Sequence, residues 1–234
     1  MQKKVKILGV RFDNVTMEEA YEKALKFANG NRRHYICTPN PEMLLETQKN
    51  RKFLKVLDKS SMNIPDGFGI ILASKLRKTP LKERVTGTDL MKEFLEKSGK
   101  RIFLLGAAKG VAEEVKEKFK KAKIVGTYEG SPAPKQEKKI RELIVNSGTE
   151  VLFVAYGAPA QEMWISRNLK FLKTVRLAVG VGGAFDFLSG KVKRAPGWMR
   201  KIGLEWLYRL IKEPRRIRRI INAVIKFPYK IISS

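Results

Sequence analysis

RIFLLGAAKGVAEEVKEKFKKAKIVGTY, residues 101–128, decides the fold. Two short apolar runs, RIFLLG (101–106) and KIVGTY (123–128), bracket a segment with helical periodicity over 109–121. The unit then recurs. A helix over 135–147 leads into VLFVAYG (151–157), and a helix over 159–170 leads into VRLAVGVGG (175–183). Strands that are apolar throughout must be covered on both faces, and intervening helices of about 10–15 residues supply the cover, so the pattern predicts a parallel sheet. Upstream, VKILGV (5–10) and HYICT (34–38) read as strands. Thr16 and Glu19 have the capping-box spacing and open a helix that fades near Asn29-Gly30, while Asn40-Pro41 starts another with Pro in its first turn. MNIPDGFG (62–69) reads as a strand tip spilling into a turn with a helix behind it, and Thr88-Asp89 as the cap of a helix over 90–98. The expected class is α/β: a Rossmann-like, mostly parallel sheet with helices on both faces, plus a C-terminal amphipathic helical appendage.

Length and charge bound the function. A chain of 234 residues makes one large domain, or one with an appendage. Its 43% hydrophobic and 31% charged composition is that of a globular protein. Lys and Arg number 49 against 23 Asp and Glu, and the net charge of +26 predicts a polyanionic partner: nucleic acid, acidic membrane or phosphorylated substrate. The single cysteine, Cys37, excludes an internal disulfide, and with the single histidine, His34, it excludes a Cys/His zinc cage. The apolar run of the N-terminus is too short for a signal peptide, and no window reaches the roughly 18 apolar residues of a spanning helix. A cytosol-facing, non-integral protein is expected.

The organisation changes near residue 191, and the division drawn is a core over 1–195 and a basic appendage over 196–234. From Lys191 to Ser234 there are 13 Lys and Arg against Glu205 and Glu213, about two-fifths of the net charge. Two helices are expected there, about 198–212 and 214–226, broken at Pro214. On the second, Ile217, Ile220, Ile221, Val224 and Ile225 form one apolar stripe, with Arg215, Arg216, Arg218, Arg219 and Lys226 around it. A basic polar face with interfacial Trp, Tyr and Phe suits an in-plane membrane helix. Packing of the stripe on the core, or in a homo-oligomer contact, is the alternative. Nucleic acid is not the expected partner, because neither an RRM-type signature nor a well-spaced helix-turn-helix is present.

Ligands of open parallel sheets bind outside the carboxyl ends of the strands. Polar groups cluster at those predicted ends: Thr38 and Asn40, Asp66, Arg84 within 83–89, Gln161 and Glu162, and Asp186, among the glycine turns at Gly106, Gly157, Gly182 and Gly183. Asn-Pro and Pro-Asp-Gly are also ordinary turn sequences. Together, however, the carboxylates, guanidinium and amides suit phosphate-sugar recognition. His34 and Cys37 are read as structural residues of a buried strand. The chain has no D-x-D pair, so no metal site and no cofactor are expected, and charge on a leaving nucleotide would fall to arginines and helix N-termini.

The runs TPNPE (38–42), PDGxG (65–69), ERVTGTDL (83–90), GAPAQExW (157–164), GVGGAFDFLSGKVKRAPGWM (180–199) and GLEWLYRLIKEPRR (203–216) closely resemble the WecG/TagA/CpsF glycosyltransferase family. The resemblance implies an inverting, metal-independent enzyme held at the inner membrane face by its C-terminal appendage. It implies transfer of N-acetylmannosamine from UDP-ManNAc to undecaprenyl-diphosphate-linked GlcNAc, as in the wall teichoic acid linkage unit. On this pattern Asp66 matches the general base, acting on the acceptor C4 hydroxyl. Thr38, Asn40 and Arg84 match sugar and diphosphate contacts. Gly106, Gly157, Gln161, Gly182, Gly183 and Asp186 match the UDP end, and Arg215, Arg216, Arg218 and Arg219 match diphosphate or membrane contacts. Many members carry Lys where Ala160 stands. A relative using another UDP-sugar, and a basic nucleic-acid-binding protein, are the competing readings.

Overall fold

The computed structural model describes residues 5–233, apart from the side chains of Lys201 and Arg216. Val5–Ile7 (β1) and Val10–Phe12 (β2) pair antiparallel in a separate hairpin rather than forming the single strand expected over 5–10. Leu8 and Gly9, both at positive φ, reverse the chain between them. Met17–Asn29 (α1) begins with the expected capping box: Thr16 accepts from the Glu19 N–H, and the Glu19 carboxylate accepts from the Thr16 N–H. His34–Cys37 (β3) is followed by Pro41–Lys49 (α2), capped by Asn40, and by Arg51–Asp58 (α3), a helix that the sequence reading did not identify. Met62–Asn63 (β4) runs through the Pro65-Asp66-Gly67 turn into Phe68–Leu76 (α4). Gly87–Lys97 (α5) is capped by Thr86, not by the Thr88-Asp89 pair: the Thr86 hydroxyl accepts from the Asp89 N–H.

The second half follows the expected alternation of Ile102–Gly106 (β5), Val111–Lys118 (α6), Ile124–Tyr128 (β6), Glu137–Asn146 (α7), Val151–Ala155 (β7), Ala160–Asn168 (α8), Leu177–Gly180 (β8) and Ala184–Ser189 (α9). The six strands β3 to β8 form one parallel sheet in the order β4-β3-β8-β7-β5-β6. Helices α1, α5, α6 and α9 cover one face, and α3, α7 and α8 the other. The inner strands β5 and β7 are buried at every position, which is why they read as continuous apolar runs. Cys37 is buried as expected, but His34 stands half-exposed at the start of β3, stacked on Phe27.

The C-terminal segment is more broken than its periodicity suggests. Gly197–Lys201 (α10) and Glu205–Lys212 (α11) replace the single helix expected over 198–212. The break falls at Gly203, whose φ of +82° is left-handed and whose missing Cβ leaves room for the Phe68 ring. Beyond Pro214, Ile217–Ile221 (α12) passes through a π turn into Phe227–Ile232 (α13), past the expected end at 226. Phe227 and Ile231 are buried against Leu44 of α2 and Ile70 and Ala73 of α4, while Ile217, Ile221, Val224 and Ile225 remain exposed. The segment therefore anchors its last helix in the core and leaves the stripe outside. Among the described residues no helix is long and apolar enough to cross a membrane.

Candidate active site

A cleft of about 310 Å³ opens over the carboxyl ends of β3, β8 and β7. Its walls come from loops far apart in sequence, and hydrogen bonds at the strand ends bring them together. The Thr38 hydroxyl, just past β3, donates to the Gly180 carbonyl that ends β8, at 3.1 Å. The buried side chain of Gln161, in the first turn of α8, accepts through Oε1 from the N–H of Gly157 (3.1 Å) and of Gly182 (3.0 Å). One amide thus ties the two glycine turns after β7 and β8. Its nitrogen is turned toward the Glu162 carboxylate, 2.7 Å away, which fixes which end of the amide faces the turns. Glu162 is fully buried, and burial pushes its carboxyl up to about 7, against the opposing Gln161 bond.

Asp66 stands half-buried in the cleft wall, between β4 and α4. Gly67, at φ +108°, makes the turn that separates it from the helix, and a side chain there would press on Pro41. Asp66 Oδ2 accepts from the Gly87 N–H at the N-terminus of α5, at 3.3 Å. Burial raises the Asp66 carboxyl to about 6; the Arg84 guanidinium and the Gly87 N–H oppose the rise, and the carboxylates of Glu205 and Asp89 add to it. The group is therefore mostly ionised near neutral pH yet far more basic than an ordinary aspartate.

Among the described residues, the arginines Arg84, Arg194, Arg209 and Arg219 line the cleft. Glu205 of α11 pairs with Arg84 at 3.0 Å and lies 3.9 Å from Arg194. Arg194 also grips Asp89 with both terminal nitrogens. Burial alone would raise the Asp89 carboxyl, but the Arg194 and Thr86 bonds hold it below its ordinary value. Arg219 of α12 pairs with Glu42 of α2 at 2.8 Å, and Arg209 lies over the Phe187 ring. The C-terminal segment thus forms one wall of the cleft. Among the described residues no three His, Cys, Asp or Glu side chains converge as a metal-binding group.

The cleft gathers Thr38, Asn40, Asp66, Arg84, Gly157, Gln161, Gly182, Gly183 and Arg219. Gly106 ends β5 outside its lining, and Asp186, in the first turn of α9, is not in the lining either. Arg215, in the 3-10 turn Pro214–Arg216, and Arg218 are exposed and do not line it, while Arg219, also largely exposed, reaches the edge of the cleft, where it pairs with Glu42. The side chain of Arg216 lies outside the described residues. The sequence reading did not single out Glu42, Arg194, Glu205, Trp206 and Arg209, which also line the cleft. Four of these sit inside the long runs 180–199 and 203–216, and their inward orientation depends on how those runs fold back.

The model of the "Glycosyl transferase WecG/TagA/CpsF family" matches residues 5–234. A Bacillus subtilis (strain 168) protein named N-acetylglucosaminyldiphosphoundecaprenol N-acetyl-beta-D-mannosaminyltransferase is 38% identical over 194 residues, 80% of this chain and 75% of its own. Proteins of the same name from Bacillus spizizenii (37% over 203 residues, 84% of this chain and 78% of its own) and Staphylococcus aureus strain MW2 (34% over 236 residues, 97% and 92%) are similar to it as well.

Proposed function

The chain belongs to the WecG/TagA/CpsF family of glycosyl transferases, and from that premise we propose that it moves N-acetylmannosamine from UDP-ManNAc to the C4 hydroxyl of GlcNAc-diphospho-undecaprenol. The observation that carries the mechanism is the half-buried Asp66 carboxylate, raised to about 6, in the wall of an arginine-lined cleft. A base near the working pH is ionised often enough to act and basic enough to take a hydroxyl proton. Asp66 takes the C4 proton as that oxygen attacks the anomeric carbon from the face opposite UDP. The C–O bond to UDP breaks with its electron pair on the diphosphate, and the configuration inverts. Arginines preorganised around the cleft stabilise the negative charge that develops there. In this scheme Thr38, Asn40 and Arg84 contact sugar and diphosphate, and the turns held by Gln161 receive the nucleotide.

The acceptor's lipid requires the work to be done at a bilayer, and the exposed apolar and cationic side chains of 197–232 support peripheral attachment to an anionic leaflet, on the cytoplasmic side where a UDP-sugar is available. The test is incubation with a panel of UDP-sugars and a short-chain GlcNAc-diphospholipid, with products identified by mass. ManNAc transfer by the native protein, lost in Asp66→Ala with folding and UDP binding intact, is expected. Transfer of a different sugar would replace the donor, and turnover of Asp66→Ala near the native rate would remove Asp66 as the base.

A further inference from the structure

The core contributes its own apolar surface beside the C-terminal segment. Helix α4 begins one residue after the Asp66-Gly67 turn and carries Phe68, Leu72 and Leu76 at i, i+4 and i+8. These three are 42, 46 and 59% exposed, although the opposite side of the same helix buries Ile70 and Ala73. A helix that is apolar on both sides has a second environment to satisfy. The outward stripe does not stand alone. Phe68 packs on Gly203, with Ile202 exposed beside it, and α13, seated on the buried side of α4, turns Tyr229 and Ile232 outward. Exposed apolar side chains thus occur on α4, whose Phe68 lines the cleft, and on the C-terminal elements that pack against it.

Charge decides what covers this face. Lys75, Arg77 and Lys78 lie on α4 and just beyond its end, Lys226 and Lys230 add cations from the C-terminal side, and Lys82 is held by Glu19. Apolar side chains rimmed by like-signed cations suit an anionic bilayer, because the cations meet headgroups while the stripe meets acyl chains.

We propose that α4 is a membrane-inserting element of the core, its Phe68–Leu72–Leu76 stripe entering an anionic bilayer alongside the C-terminal helices. The inference rests on the reading above in taking the acceptor as lipid-borne, and it adds a positional consequence. Nine helical residues span about 13 Å, and an interfacial helix lies in the membrane plane about 5–10 Å deep. A helix held in this way keeps Asp66, at its head, level with the phosphates of a lipid-linked acceptor. The enzyme would then meet the bilayer through the segment that carries its base, so that attachment also orients the cleft.

The test uses the full chain. Leu72→Gln/Leu76→Gln is neutral and leaves every cation in place, and Leu143→Gln, on the partly exposed α7 position remote from this face, is the control. Flotation is measured with vesicles of equimolar phosphatidylglycerol and phosphatidylcholine. Sugar transfer is measured both to a long-chain GlcNAc-diphospho-polyprenol in those vesicles and to a soluble short-chain analogue. The double variant should lose about thirtyfold in vesicle partitioning, because two leucine side chains are withdrawn from the apolar phase together. Transfer in vesicles should fall in parallel, with short-chain transfer within about twofold of the native protein. Native flotation by the double variant would overturn the inference, and so would conversion of a dimer to a monomer with flotation unchanged, which would make this face a subunit contact. Should the native chain transfer no sugar to either acceptor, the proposed activity fails, while flotation still decides the role of α4.

Discussion

Replacing Asp66 by Asn should destroy activity and at the same time stabilise the protein above neutral pH. Burial moves this carboxyl from its ordinary 3.8 to about 6. Ionising a group so displaced costs about 3 kcal/mol of folding stability, and the partial exposure of Asp66 reduces this to about 2 kcal/mol. The sign follows from proton binding. Below 3.8 the carboxyl is neutral in both folded and unfolded chains and costs nothing. As pH rises toward 6 the unfolded chain releases its proton first, and stability is lost until the folded carboxyl has ionised too. Asn is neutral throughout, and its amide oxygen can still accept from the Gly87 N–H. For a domain of this size about 2 kcal/mol is about 4–8 °C in melting temperature. Thermal melts of the native and Asn proteins should therefore separate by that amount at pH 8 and converge near pH 4. Transfer by the variant should fall about 10²–10⁴-fold, and the native kcat/KM should drop as pH falls through about 6. Equal melting at pH 8, or a native acid limb near pH 4, would refute the account of Asp66 as a half-buried, destabilised base.

Phe227→Ala empties a site that is only 1% exposed and should cost about 3–5 kcal/mol; the melting temperature should fall, and limited proteolysis should cut first between α11 and α13. Gly203→Ala brings a methyl group within 2.5 Å of the Phe68 ring at a left-handed φ. A loss of about 1–3 kcal/mol is expected, read by thermal melting, together with reduced transfer as α11 shifts from the cleft. Gln161→Leu leaves the N–H groups of Gly157 and Gly182 without their acceptor. With the two glycine turns no longer tied together, calorimetry should show UDP binding about 10–100-fold weaker, with the Asp66 acid limb unmoved.

Local chemistry announced much of this molecule. The Thr16–Glu19 capping box and the Asn40-Pro41 start are short-range devices, and the chain uses both as read. The doubly buried β5 and β7 show in sequence as unbroken apolar runs. Where neighbouring signals competed, the reading slipped. Thr86 and Thr88 offer similar caps, and the chain uses the first, which turns the Gly87 N–H toward Asp66. VKILGV has a strand's composition, but the left-handed Leu8-Gly9 pair folds it into a hairpin. The candidate residues Thr38, Asn40, Asp66 and Arg84 were legible as polar groups at strand ends. Their partner Glu205 was not, because it reaches Arg84 across 121 positions of chain.

The sequence alone determined the alternation of strand and helix, the parallel sheet and the glycosyltransferase family, since each is written in periodicity or in contiguous runs of residues. Only the tertiary structure decided that β3 lies beside β8, so that Thr38 meets Gly180, and that 197–232 folds back to wall the cleft with Arg209 and Arg219 while burying Phe227. Strand order and the docking of a terminal segment depend on which apolar surfaces remain uncovered after the rest has packed. That is a property of the assembled core, and no local stretch of residues carries it.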